Sequence, residues 1–368
     1  MRPTVATVHL DRLRDNVQWI KSQLNPRVSL MAVVKADGYG HGAEPVARTA
    51  LEAGAQSLGV ALVEEGIALR DRGIRAPILV LGQIPLRQID DAVQSDLDMV
   101  VFDARTFDQA VMAGKKSGKP VRMHIKIDTG MGRIGLKAED FDEHWLERLR
   151  HPEIMFQGLM THFANADARD HRGTTRQVSR FLDVIEKCRR GGMDPPWVHA
   201  ANSAATLRLP GTHFNLVRVG IAMYGLEAYE GMPSPLKPVL ELNSEVVFVK
   251  EVGKGFPVGY GSTYVTPEPM KIATVPIGYA DGYRRGLSNR ASVLIRGRSY
   301  PVIGRISMDQ LSVGVGLEDE LRVGDKVVLI GEQEEQSISA DQLAGLLGTI
   351  GYEIVTGLSP RIPRVYGN

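Results

Sequence analysis

Lys35 stands where an apolar run stops and a glycine-spaced turn begins, in Met31-Ala32-Val33-Val34-Lys35-Ala36-Asp37-Gly38-Tyr39-Gly40-His41-Gly42. A valine-rich run of this length suits a strand buried on both faces. The glycines free the backbone for a tight loop. Lys35 is therefore expected at the C-terminal end of a buried strand, with its tail in a pocket. Burial there disfavours the ammonium form and lowers the lysine pKa. A lysine made neutral in this way is a nucleophile that forms Schiff bases. The competing reading is a lysine that merely ends a strand and points to water.

The elements that must position Lys35 follow from hydrophobic periodicity. Residues Thr4–Leu10 alternate like a strand, and a helix is expected from Asp11, as N-cap, to about Leu24. Strand-like runs follow at Ser29–Val34, Ser57–Ala61, Ala76–Leu81, Leu97–Phe102, Val121–Ile127, Ile154–Met160, Trp197–Ala200 and Phe214–Val219. Helix-like segments separate most of them, at Ala43–Ala53, Val63–Arg72, Ala104–Lys116, Glu139–Leu149 and Arg176–Arg189. Thr206–Leu209 is too short for a regular helix, so the seventh connection is expected to be irregular. This order predicts an α/β fold, a (β/α)8 TIM-type barrel. A doubly wound open sheet is the alternative, weakened because the Lys35 turn lacks GxGxxG spacing.

After about Gly231 the texture changes. Met232–Pro238 reads as a linker, and short strands follow at Leu240–Val249, Ile272–Pro276, Ser292–Ile295, Tyr300–Ile303, Leu311–Val315 and Lys326–Ile330. One helix is expected near Ala340–Leu347, capped by Ser339. The expected domains are a barrel over 1–231 and a mostly-β domain over 232–368, with residues 4–10 available to pair with the second.

A barrel's working face is built from the C-terminal ends of its strands. Those ends carry Lys35 and Tyr39, then Lys126, Asp128 and Arg133, then His162, then His199, Asn202 and Ser203, and finally Arg218, Gly220 and Ile221. One such His or Arg has an ordinary structural explanation; their joint position on one rim does not. Loops after strands seven and eight often bind phosphate through backbone N–H groups, and Gly220 would let the backbone approach an anion. A Schiff-base lysine beside a phosphate cradle suggests pyridoxal 5'-phosphate. Arg218 against its pyridine nitrogen would leave that nitrogen unprotonated, weakening the electron sink and favouring brief, localised carbanions.

The totals bound the rest. The chain has 368 residues, 43% hydrophobic and 24% charged, with a net charge of +1. That is a globular balance with no attraction to nucleic acid or an anionic membrane. The single cysteine, Cys188, makes no internal disulfide. With no secretory signal and no membrane-length apolar run, a cytoplasmic protein is expected. No metal-ligand spacing and no GxSxG elbow is present.

The motifs resemble those of the alanine racemase family. Alongside the Lys35 motif stand Lys126-Ile127-Asp128-Thr129-Gly130-Met131-Gly132-Arg133-Ile134-Gly135 and Arg218-Val219-Gly220-Ile221-Ala222-Met223-Tyr224-Gly225. The second domain adds Gly259-Tyr260-Gly261-Ser262-Thr263-Tyr264, Pro276-Ile277-Gly278-Tyr279-Ala280-Asp281-Gly282 and Gly304-Arg305-Ile306-Ser307-Met308-Asp309-Gln310. The resemblance implies a homodimer whose sites join one subunit's barrel to the other's β domain. It implies that Lys35 carries the cofactor and is the base on the D-alanine face, and that the partner copy's tyrosine at position 260 serves the L-alanine face. Tyr39, Ser203, Gly220 and Ile221 would hold phosphate, Arg218 would face the ring nitrogen, and His162 and His199 would relay its hydrogen bonds. Arg133 and the backbone N–H of Met308 would meet the substrate carboxylate, Tyr279 would narrow the entrance, and Asp309 would support that loop. Lys126 matches a lysine carbamylated in relatives; the alternative is an unmodified lysine paired with an acid. Some relatives place a phosphate-reaching tyrosine before an Arg-x-Pro-Arg run. Here Pro360 precedes Arg361-Ile362-Pro363-Arg364, so that position inherits no role. A broad-specificity or serine racemase, a related decarboxylase and a non-enzymatic cofactor carrier are the rival readings. A decarboxylase needs an acid where Arg218 stands, and a carrier has no use for Tyr260 or Met308.

Overall fold

The computed structural model describes residues 2–232 and 235–367. Eight parallel strands succeed one another round the barrel: Ser29–Val33, Ser57–Val60, Ile78–Val80, Asp98–Val101, Val121–Asp128, Ile154–Met160, Trp197–His199 and Leu216–Val219. The eighth returns to the first, with Arg218 opposite Met31. The seventh and eighth meet through the loop bonds Asn215 N to Val198 O, 3.3 Å, and Arg218 N to Ala201 O, 3.0 Å. The sheet is thus a nearly closed barrel, and the open-sheet alternative falls. Alternate side chains point inward. Met31, Leu79, Val100, Met160 and Leu216 form an apolar interior cluster distinct from the shell packed beneath the helices.

Several local expectations need correction. Asp11 does not cap the first helix, which spans Leu10–Ser22; it lies in the first turn, where a carboxylate complements the helix dipole. Thr206–Arg208 belongs to a helix, Ser203–Arg208, that ends at Leu209 and is started earlier by Asn202, whose side chain accepts the Ala205 N–H at 3.0 Å. Glu139–Leu149 is a 3-10 turn, Ala138–Asp140, then a short helix Glu143–Arg148, because Asp142 caps at Trp145 N. A helix at Ile89–Gln94 was not anticipated. Pro233 and Ser234 of the expected linker lie outside the described residues.

The second sheet runs through Phe248–Val252, Met270–Val275, Leu311–Val315, Arg298–Ile303, Ser292–Ile295, Lys326–Gln333 and Leu240–Glu245. The expected strand Leu240–Val249 is therefore two, pairing at separate places. Val5–His9 adds to this sheet, antiparallel to Leu240–Glu245 and parallel to Arg364–Gly367. Helix Ala340–Leu347 starts at Ser339 in a reciprocal capping box with Gln342, at 3.0 and 2.8 Å. Arg364 pins the two parts together: it donates to Gly40 O at 3.0 Å, and to Leu358 O and Ile362 O on its own side. Among the described residues no helix is long and apolar enough to cross a membrane.

Candidate active site

The backbone after Lys35 makes one left-handed turn. Ala36, Asp37, Gly38 and Tyr39 have φ of 52°, 52°, 60° and 53°. Three of these are not glycine, and each costs about 1–2 kcal/mol in that region. Anchors offset the cost. Glu65 Oε1 accepts the Ala36 N–H at 2.6 Å, and Asp37 Oδ1 accepts the Ala43 N–H at 2.8 Å. The sequence pattern suggested that glycines supply the freedom here; Glu65 and Asp37 do as much by holding the turn. Its consequence is that Lys35 and Tyr39 both reach one cavity.

That cavity, about 420 Å³, lies at the C-terminal end of the barrel. Lys35, Tyr39, Lys126, Arg133, His162, Asn202, Ser203, Arg218, Gly220 and Ile221 line it. His199 lies below, fully buried. Tyr260, Tyr279, Met308 and Asp309 do not line it. Pro360 is also absent from its wall, whereas Tyr352 is present, with its ring centroid 6.0 Å from that of Tyr39. Sequence reading missed Tyr352, because it looked for the aromatic beside the Arg-x-Pro-Arg run.

Electrostatics in the cavity are cationic. Burial, then the Arg133 guanidinium, lower the Lys35 pKa from its usual value, against an opposing pull from Glu65. The cation acting on Lys35 is thus Arg133. Arg218 is buried; burial brings its pKa down to about 10, so it stays charged at neutral pH. Its Nη1 donates to His199 Nδ1 at 2.8 Å, and its Nη2 to Thr161 O at 2.9 Å, Ala200 O at 3.0 Å and His162 Nδ1 at 3.0 Å. Burial and the neighbouring guanidinium hold both histidines well below their usual pKa, hence neutral and able to accept.

Lys126 is buried, and its pKa falls to about 8, first through burial and then through Arg218 and Arg133. Among the described residues no carboxylate lies within ion-pair distance of it. Asp128 opposes the shift, but its Oδ1 accepts backbone N–H groups of Gly130, Met131 and Gly132 at 2.9, 2.9 and 3.1 Å. An unmodified lysine paired with an acid does not fit.

At the other end Ser203 Oγ accepts the N–H of Gly220 at 3.0 Å and of Ala222 at 3.4 Å, joining the loops after strands seven and eight. Gly220 is needed there: a Cβ would fall 2.5 Å from Tyr39 Oη.

The second-domain residues gather elsewhere. Tyr260, Tyr279 and Met308 are 71%, 41% and 52% exposed. Met308 O accepts the Ala280 N–H at 3.0 Å, Tyr279 N donates to Ser307 O, and Asp309 pairs with Arg361 at 2.7 Å.

A family model described as alanine racemase, N-terminal domain, matches residues 8–228; one described as alanine racemase, C-terminal domain, matches residues 239–366. An alanine racemase of Symbiobacterium thermophilum is 46% identical, covering 100% of this chain and 98% of its own. One of Geobacillus stearothermophilus is 44% identical over 99% of this chain and 94% of its own. The crystal structure of alanine racemase from Bacillus anthracis with bound L-Ala-P has a TM-score of 0.94 at 42% identity, covering 100% of this chain and 96% of that one. That from Streptomyces coelicolor has a TM-score of 0.95 at 38% identity, covering 100% and 98%. Matched from end to end by chains of one name and one fold, this chain belongs to the alanine racemase family and interconverts L- and D-alanine.

Proposed function

We propose that the reaction runs on pyridoxal 5'-phosphate with one base on each face of the substrate, and that two copies of the chain build each site. The residues fit the cofactor. Lys35 reaches the cavity as a lysine of lowered pKa. Ser203, Gly220, Ile221, Tyr39 and Tyr352 form a small, polar end suited to phosphate. Arg218, a pure donor, is held between them by four acceptors. When bound, the cofactor acidifies the substrate Cα–H by drawing electron density into its ring.

The chain's own groups do the rest. Arg218 would face the ring nitrogen and, unable to give up its proton near pH 7, would leave that nitrogen unprotonated, weakening the electron sink. That suits proton return over side reactions. Lys35 Nζ takes or gives the proton on the D-alanine face. The opposite face needs a second base, since one base returning its proton to one face inverts nothing. Tyr260 is our candidate, and its 71% exposure in a single chain supports service in another copy's site. After one turnover Lys35 and Tyr260 have exchanged protonation states, and reverse turnover or solvent resets them. Arg133, Met308 and Tyr279 hold and frame the substrate, and Asp309, paired with Arg361, steadies the Met308 loop. Lys126 reacts as a neutral amine with CO2: the N–C bond forms, the amine proton leaves to solvent, and the resulting carbamate is an anion that grips Arg133.

The observation that carries this reading is the meeting of Lys35, Arg218 and the Ser203–Gly220 cradle in one cavity. Exchange in D2O tests the two bases. A Tyr260→Phe variant is expected to retain the cofactor and exchange the Cα–H of D-alanine through Lys35, while exchange of L-alanine collapses. Loss of both exchanges, or of neither, contradicts the assignment.

A further inference from the structure

The hydrogen-bonded chain beneath Arg218 does not stop at His199. His199 Nε2 and His124 Nδ1 are 2.9 Å apart, the rings meeting edge to face at 82°. Below them His124 Nε2 faces Asp98 Oδ2 at 3.8 Å, longer than a direct hydrogen bond. Asp98 Oδ1 accepts from Arg122 Nε at 2.5 Å. His124 and His199 are 2% and 0% exposed. His124 shares the inward parity of Lys126 on the fifth barrel strand, and Asp98 opens the fourth. The chain therefore runs through the barrel interior, from the cavity to the opposite end.

Its direction is forced. A guanidinium only donates, so His199 Nδ1 accepts and its own hydrogen sits on Nε2. That hydrogen goes to His124 Nδ1, which leaves the His124 hydrogen on Nε2, facing a carboxylate that only accepts. Among the described residues the direct partners of Arg218 include no carboxylate; Asp98 is the anionic end of this line. The sixth strand makes room for the acceptor atom. A Cβ on Gly158 would fall 2.1 Å from His124 Nδ1.

We propose that His124 is a positioning residue for the racemase reaction: seated on Gly158, with Nε2 toward Asp98, it accepts the His199 N–H, fixes the place of that ring and so holds Arg218 at the ring nitrogen. This rests on the placement of Arg218 proposed above. Tautomers in histidine-labelled protein are read from two-bond 1H–15N correlations, with and without bound cofactor. His199 and His124 are both expected as Nε2–H forms. His124→Asn puts an amide oxygen where Nδ1 stood; it keeps the His199 tautomer and a kcat within about threefold of the parent. His124→Leu leaves the His199 Nε2–H, which Arg218 keeps on that nitrogen, without an acceptor, so the ring shifts and Arg218 loosens; kcat falls roughly tenfold or more while KM for alanine holds. Gly158→Ala, which crowds the same atom, is expected to follow the Leu variant. A His199 hydrogen on Nδ1 in the parent protein overturns the proposal whether or not any variant folds. So does an unchanged kcat in His124→Leu. Failure of the parent to bind the cofactor would instead remove the functional reading, leaving the cofactor-free tautomers to decide the relay.

Discussion

Two forces act in the same direction on Lys35: burial strips water from the ammonium, and the Arg133 guanidinium repels it. Schiff-base formation needs the neutral amine, so uptake of pyridoxal 5'-phosphate by cofactor-free protein is expected to accelerate as pH rises through the Lys35 pKa. The midpoint should lie below 10.5, the ordinary lysine value. Removing the cation in Arg133→Gln removes a lowering cause, so the midpoint should move upward; a fixed midpoint in stopped-flow absorbance would show that Arg133 does not act on Lys35. Lys126 follows the same logic with a different partner. Its neutral fraction grows as pH rises through about 8. Carbonyl NMR of protein equilibrated with 13C-bicarbonate should show a carbamate resonance that strengthens over that range and vanishes in Lys126→Ala. A spectrum without it in the parent protein would leave Arg133 without its proposed anionic partner.

At the scale of elements, the site depends on turns that set small distances. Gly220→Ala would drive a Cβ to 2.5 Å from Tyr39 Oη, at the phosphate end of the cavity. The barrel core should survive, since the change lies at a loop. Cofactor affinity, followed by absorbance titration, should weaken by about tenfold or more, and unchanged affinity would dissociate that end from phosphate. The alternation of apolar runs and helical segments made the barrel legible, because buried parallel strands leave uninterrupted Val, Leu and Ile runs, as in Ile78–Val80. The rim rule found Lys35, Lys126, His162 and Arg218 because their types stand out at strand ends. It could not find His124, two residues below the rim and flanked by Met123 and Ile125, where parity was the only signal. The left-handed turn at Ala36, Asp37 and Tyr39 was equally hidden, since its stability comes from Glu65, distant in sequence. Short elements such as Ile89–Gln94 carry too few residues for a periodic pattern.

At the scale of the molecule, the cavity and the second-domain loops face different surroundings. Lys35 and Arg218 line the cavity; Tyr260, Tyr279 and Met308 stand exposed on the β domain. The N-terminal strand Val5–His9 and the Arg364 contacts to the Lys35 loop tie barrel and β domain together. Two copies related by a closed two-fold would each lend these loops to the other's cavity. The direct measurement is complementation. Lys35→Ala and Tyr260→Phe chains, each with its own tag, are co-expressed and the mixed dimers isolated. One of the two sites in such a dimer then has an intact Lys35 from one chain and an intact Tyr260 from the other. Mixed dimers are expected to recover L- to D-alanine racemisation that neither parent variant shows. Mixed dimers no more active than the single variants would contradict a site in which Lys35 and Tyr260, from different chains, act on opposite faces of the substrate.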